Sequence, residues 1–467
     1  MRVSSQRLVV CLLLIASGGC GQVMEALELV PPVKGDPREE LAHGLSQEQS
    51  GDLDGAIQTY TQAIQLDGRL VDAYIGRGRV RARAGDDPGA IEDDTRAIEL
   101  IGRQAADYTK RAGRTGQSDD LVTALQDASE LARLNGLLAD LYVGRGAARA
   151  RQSDFRGAMS DADRAIALNP SLPAASIVRG EARNGLGDHQ GAIGEFTQAI
   201  KLDPSLLEAY LNRAETKWAL ADYAGAIEDT TAAIKLNPNR ALSYVRRAAA
   251  KEKLGDYSGA IDDATHAITL EPALADAYAA RSAALGKAGV YRDSIEDADR
   301  AIELDPTRAP AYLNRGVAKM ATGDYQGTID DATRAIALDP SLADAYVIRG
   351  AVAVQLGRDR DAIGDFSRAI ALKPTLADAY ASRGLARKRT GDLAGAVEDY
   401  TRAITLNPNL ADSRDELWMV LMVMDEGNAA VAKELSAFIR LGPNAPAVRR
   451  EIDEAKERLQ APAGTGP

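Results

Sequence analysis

Residues 343–374 read ADAYVIRGAVAVQLGRDRDAIGDFSRAIALKP, and this stretch decides the fold. Its apolar residues recur every three to four positions, in two blocks separated by Gly357. That spacing is the period of an amphipathic helix. With Ala343 as repeat position 1, positions 1–14 predict one helix. The glycine at position 15 closes it, because glycine enters the left-handed conformation without a Cβ penalty. Positions 18–31 predict a second helix, with Ala362, Ile363, Ala369, Ile370 and Leu372 on one face. Pro374 at position 32 ends it, since proline lacks the N–H that the next helical turn needs.

The same grammar extends outward in both directions. Pro170, Pro204, Pro238, Pro272, Pro306, Pro340, Pro374 and Pro408 stand 34 residues apart. Continuing the register backwards reaches Gly136, Gly102 and Gly68, which read as helix terminators at the same position. Eleven units of 34 residues therefore run over 37–408 without an insertion. Leucine fills position 30 in every unit from Leu66 to Leu406, and glycine fills position 15 in eight of the eleven. A unit this small cannot bury its own apolar face, so the copies must stack on one another.

The pattern resembles the tetratricopeptide repeat (TPR), and the resemblance covers about 80% of the chain. It implies an all-α fold, a right-handed α-solenoid (superhelix) of 11–12 helix-turn-helix repeats with a C-terminal capping helix. Residues 409–442 read as a degenerate twelfth repeat that has lost the Arg, Gly and Pro landmarks. The charged stretch 443–460 reads as the capping helix, and 461–467 as a disordered tail. Length alone would predict about three domains for 467 residues. The repeat replaces that expectation with one array.

Residues 1–19 read as a signal peptide. Arg2 and Arg7 precede nine apolar residues, Leu8 to Ala16, too few to span a bilayer. The run Ser17-Gly18-Gly19-Cys20 resembles a bacterial lipoprotein signal, although Ser17 stands where an aliphatic residue is usual. The resemblance implies that Cys20 is acylated and that 20–36 form a lipid-anchored linker. The chain would then be exported to the bacterial cell envelope and held at a membrane, in the periplasm or on the outer face. Simple secretion, with Cys20 left as a thiol, and no processing at all are the alternatives.

Composition narrows the function. A net charge of −12 argues against a nucleic-acid surface. Two cysteines and three histidines exclude a disulfide framework and a four-ligand Cys/His zinc site. His43, His189 and His266 fall at different repeat positions, so no metal site or catalytic triad is expected. No segment outside the repeats is long enough for a catalytic domain. The expectation is a non-enzyme with no cofactor and no small-molecule substrate.

Two side-chain series stand out. Arginine recurs at position 7 in ten units, as Arg77, Arg111, Arg145, Arg179, Arg213, Arg247, Arg281, Arg315, Arg349 and Arg383. An acid recurs at position 23 in the same ten, as Asp93, Asp127, Asp161, Glu195, Asp229, Asp263, Asp297, Asp331, Asp365 and Asp399. Where the arginine is missing the acid is missing too, so the two are expected to pair between helices. Arginine at position 26 is the competing partner for the acid, and an anion-binding strip is the competing role for the ladder. All fifteen tyrosines fall on repeat positions 4, 17 or 24, which reads as packing.

In the repeat family the first helices line a concave groove. The resemblance places Ile177, Leu211, Val245, Leu313 and Val347 there, at position 5. Trp218 is expected in the groove among Leu211, Glu215 and Met320. The implied partner is a protein or peptide segment, extended or helical, with an apolar core and charged flanks. The expected function is a scaffold or adaptor in cell-envelope assembly. The alternative is a secreted or cytosolic adaptor or co-chaperone without a lipid anchor.

Overall fold

The computed structural model describes residues 35–115 and 121–410, together with 412, 413, 416, 417, 419 and 420. The expected signal peptide, Cys20, the expected capping helix and the expected disordered tail lie outside the described residues, as do most of the expected linker and twelfth repeat. The described residues contain twenty helices with defined bounds and no strand. No helix among them is long and apolar enough to cross a membrane. The fold is an all-α solenoid of stacked helix pairs, described as two compact units divided between Ala221 and Asp222.

The first unit holds α1 (Pro37–Ser50), α2 (Leu53–Leu66), α3 (Val71–Arg83), α4 (Asp87–Thr115), α5 (Leu121–Arg151), α6 (Phe155–Leu168), α7 (Pro173–Gly185), α8 (His189–Leu202) and α9 (Leu207–Ala219). The second holds α10 (Tyr223–Leu236), α11 (Ala241–Lys253), α12 (Tyr257–Leu270), α13 (Ala275–Lys287), α14 (Tyr291–Leu304), α15 (Ala309–Thr322), α16 (Tyr325–Leu338), α17 (Ala343–Gln355), α18 (Asp359–Leu372), α19 (Ala377–Thr390) and α20 (Leu393–Leu406).

Local chemistry sets the helix ends. Most second helices open on an aspartate whose carboxylate accepts the backbone N–H three residues on, as Asp154 does from Gly157 and Asp256 from Gly259, whereas Val290 and Arg358 precede α14 and α18 without such a bond. This satisfies one of the donors that a helix N-terminus leaves open. Seven first helices are entered through a turn in which Asp or Asn accepts the N–H two residues on. The pairs are Asp67 with Arg69, Asn169 with Ser171, Asp203 with Ser205, Asn237 with Asn239, Asp305 with Thr307, Asp339 with Ser341 and Asn407 with Asn409. Gly323 and Gly391 leave their helices at φ 86°, the left-handed cap. Where the glycine is missing, Ser153 and Ala221 are held at φ 63° and 59°.

The core is built from small residues. Ala158, Ala165, Ala192, Ala199, Ala260 and Ala267 are fully buried and let paired helices approach. Aromatics at position 24 lie under a glycine at position 8, so Phe196 packs on Gly180 and Phe366 on Gly350. Where position 8 is alanine, position 24 is small as well, as in Ala248 with Ala264.

One expectation is corrected. Gly102 and Gly136 do not terminate helices, because α4 runs through the first and α5 through the second. Glycine weakens a helix by about 1 kcal/mol but keeps its N–H, whereas proline removes the donor and clashes with the preceding turn. At Gly68 the chain still turns, because Asp67 builds the local turn. At the equivalent place before Gly102 stands Ile101, which is buried with Leu134 and Leu138 and draws the helix onward. The later half of α4 and the earlier half of α5 therefore form a long helical hairpin.

Candidate partner-binding face

Behind the first helices runs the arginine ladder. Arg77, Arg145, Arg247, Arg281, Arg315, Arg349 and Arg383 each grip the acid sixteen residues on through Nε and Nη2, in bonds of 2.5–2.9 Å. Arg179 donates to Glu195 at 2.8 Å. Arg111 lies 3.7 Å from Asp127, a looser pair within the hairpin. Arg213 belongs to the first unit, where it donates to Thr197, and Asp229 is buried in the second.

Five ladder carboxylates also take a second cation within 3.0 Å: Arg81 bonds Asp93, Arg149 bonds Asp161, Lys251 bonds Asp263, Lys319 bonds Asp331 and Arg387 bonds Asp399. The competing partner at position 26 turns away, Arg96 to Glu99 and Arg300 to Glu303. The acids are nearly all buried and the guanidinium groups mostly covered. In nine of the ten units the guanidinium also lies over the tyrosine three residues earlier, 5.6 Å from the ring for Arg247 and Tyr244 and 5.5 Å for Arg315 and Tyr312; Arg179 has Ser176 there instead. Several of these tyrosines anchor their own hydroxyls on the preceding turn: Tyr312 donates to the carbonyl of Pro306 and Tyr346 to that of Pro340. The ladder is thus interior fastening and not an exposed anion strip.

The expected groove residues divide by burial. Ile177 on α7 and Trp218 on α9 are half-buried, and Glu215 on α9 is exposed. Leu211 and Val245 are only 4% and 9% exposed, so they correct the expectation that both line an open groove. Val245 packs with Leu242, Ile268, Leu274 and Ala277, where position 5 faces the next helix pair. Leu313 and Met320 on α15 and Val347 on α17 are half-buried. Met320 lies in the second unit on the same helix as Leu313, whereas Trp218 lies in the first.

Period counting misses a set of charged residues on the first helices of the first unit. Arg79 grips Glu48 through Nε and Nη2 at 2.6 and 2.7 Å, and Tyr60 donates to the same carboxylate. The arginine holds the Glu48 carboxyl below its usual range, and burial beside Glu48 pushes the Tyr60 hydroxyl up to about 12. Burial raises the Glu181 carboxyl, against the pull of a hydrogen bond from Asn212. Asp94 stands where other repeats carry an aromatic or a small residue. Burial pushes its carboxyl up to about 7, with Asp93 and Asp161 adding repulsion and Arg145 opposing them. Its signal in the sequence is an acid at a position that is otherwise part of the core. Among the described residues no His, Cys, Asp and Glu group is arranged to hold a metal ion.

Comparison with known proteins follows the same repeats. A tetratricopeptide repeat model matches residues 41–107, 143–206, 279–343 and 313–377, and a second tetratricopeptide repeat model matches 207–240 and 377–410. Among solved structures, the chain is similar to the APC/C hetero-tetramer Cut9–Hcn1, with 14% identity, a TM-score of 0.47, and 92% of this chain and 98% of that one covered. It is similar to yeast Tom70 with 16% identity, a TM-score of 0.42, and coverage of 79% and 91%. It is similar to the MamA protein with 29% identity, a TM-score of 0.31, and coverage of 38% and 96%. Among curated proteins, nothing matches the chain.

Proposed function

The chain belongs to the tetratricopeptide repeat family, and from that premise we propose that it is a non-enzymatic scaffold that captures a protein or peptide segment against its first helices. The observation that carries this reading is a partly open apolar strip on α15 and α17. Leu313, Val317, Met320, Val347 and Ala351 are half-buried there, while Ala311 and Ala345 on the same helices are fully buried. The two helices pack on one another, so the strip is continuous. Exposed Lys287 and Asp344 lie at neighbouring first-helix positions. An apolar strip with charges of both signs beside it suits a segment carrying two or three apolar anchors and charged flanks.

The proposal extends to location. Cys20 after a short apolar run supports a lipid anchor, with residues 20–36 as the tether and the cell envelope as the site of action. Two tests separate these readings. Photo-crosslinkers at Val347 and at Trp218 in the full chain should capture a protein partner, and Met320→Glu should reduce capture at Val347 at least tenfold. Unchanged capture by Met320→Glu would reject the strip as the binding face. Separately, Cys20→Ala should move the protein from the membrane fraction to the soluble one. Retention in the membrane would reject the anchor and leave the scaffold standing.

A further inference from the structure

Eight ladder arginines also reach back to the preceding repeat by a fixed step. Arg77 donates to Thr61, Arg179 to Asp163, Arg213 to Thr197, Arg247 to Thr231, Arg281 to Thr265, Arg315 to Asp299, Arg349 to Thr333 and Arg383 to Ser367, each sixteen residues earlier. Arg145 breaks the step. It donates to Thr95, fifty residues earlier, which is the usual step plus one period of 34. Two neighbouring contacts shift in the same way. Gly76 lies against Tyr60, sixteen residues back, but the equivalent Gly144 lies against Asp94. Arg151 on α5 bonds Asp87 at the start of α4, across 64 residues. The fourth repeat is therefore seated on the second, and the third stands outside the stack as the hairpin of α4 and α5.

The hairpin nevertheless keeps the parts of a stacked repeat. Arg111 lies over Tyr108 at 4.0 Å and beside Asp127, and Leu134 is buried. Its receiving face is open. Leu125 is 62% exposed, where the equivalent Ile57, Ile91 and Ile193 are half-buried. Ala128, Ser129 and Ala132 beside it are exposed as well. These four lie three or four residues apart, on one helical face. Ser129 is the hydroxyl sixteen residues before Arg145, the acceptor that the regular step would give that arginine.

We propose that the third repeat switches between two seatings: the hairpin described, and an inserted repeat whose open face, Leu125, Ala128, Ser129 and Ala132, is covered by residues 139–151 of this same chain. In the inserted seating Arg145 leaves Thr95 for Ser129, and Arg111 takes Thr95, restoring the sixteen-residue step at both seams. The continuous helices break at Gly102 and Gly136, the positions where eight other repeats carry proline. Burial of Ile101 and the unbroken helical turns favour the hairpin, and coverage of the open face favours insertion. Both positions are glycine, which permits either backbone path. Insertion adds one first helix to the row that faces a partner, so the length of the binding face changes without unfolding the array.

The test uses the full chain with Cys11→Ser, Cys20→Ser, Asp94→Cys, Ala128→Cys and Gly144→Cys. A disulfide between 94 and 144 reports the hairpin, and one between 128 and 144 reports insertion. Peptide mapping after slow oxidation should find both. Adding Gly102→Pro with Gly136→Pro should raise the 128–144 share at least tenfold, and Gly102→Ala with Gly136→Ala should reduce it as strongly. A 128–144 share that is equal across the proline, glycine and alanine forms overturns the proposal. If the proline form loses its helical circular dichroism, the glycine and alanine forms decide alone, and equal shares in those two overturn it.

Discussion

Arg247 holds Asp263 in a fork, Nε to Oδ2 at 2.9 Å and Nη2 to Oδ1 at 2.7 Å. The third arm reaches Thr231 in the preceding repeat at 3.1 Å, and Lys251 approaches the same carboxylate at 2.8 Å. Such a fork specifies register between helices more than it adds net stability. Removing one partner strands the other in a covered site. Arg247→Asp should cost about 3 kcal/mol in the unfolding of the second unit. The exchange Arg247→Asp with Asp263→Arg should recover part of that loss but not all, because Lys251 then faces a guanidinium. Adding Lys251→Ala should recover more. Urea unfolding followed by circular dichroism reads all three, and a double variant no better than either single would show that the pair does not couple.

Asp94 makes the first unit sensitive to pH. Its carboxyl titrates at about 7 when folded and near 4 when unfolded. Between those values the folded state binds the extra proton, so stability falls as pH rises from 4 to 7 and is flat above. The swing from this group is at most about 4 kcal/mol. Asp94→Asn should flatten the dependence and raise the thermal midpoint at pH 8, while leaving it nearly unchanged at pH 4. An identical pH slope in both proteins would count against the assignment.

Ser153 occupies a left-handed position, φ 63°, that most repeats give to glycine. A side chain there costs about 1 kcal/mol. Ser153→Gly should therefore stabilise the fourth repeat by roughly that amount, and hydrogen exchange at the start of α6 should slow. Faster exchange would mean that the serine side chain offsets the backbone cost.

Gly180 leaves room for Phe196, since a Cβ there would lie 2.6 Å from the ring. Gly180→Ala should cost about 1–3 kcal/mol through overpacking. Phe196→Ala should cost about 3–5 kcal/mol through the cavity it leaves. In the double variant the alanine at 180 should add nothing, because Ala248 and Ala264 already pack this way two repeats on. Additive losses would show that the two sites are independent.

Much of this was legible before any coordinates. The helix pairs followed from the spacing of alanine, leucine and proline. The pairing of Arg247 with Asp263 was visible because both series fail in the same units. Gly102 and Gly136 misled for a physical reason. A glycine ends a helix only when its neighbours build a turn, and Ile101 had replaced the residue that builds it. Position 5 misled in a smaller way. Its side chains share the groove-facing stripe, yet Leu211 and Val245 are taken up by packing that no single repeat reveals. How deeply Asp94 is buried carries no signal in the repeat pattern, because its burial is set by the repeat that lands on it.

The seam at Thr95 and Arg145 has a mechanical consequence. A pull along the first unit passes from α4 to α5 through Arg145–Thr95 and Arg151–Asp87, and bypasses the hairpin between them. Those two contacts act as a latch over stored length. Once they open, residues 102–136 can pay out as slack of roughly 110 Å when fully extended. The array would then yield first at one chosen place under load, with its other repeats still engaged.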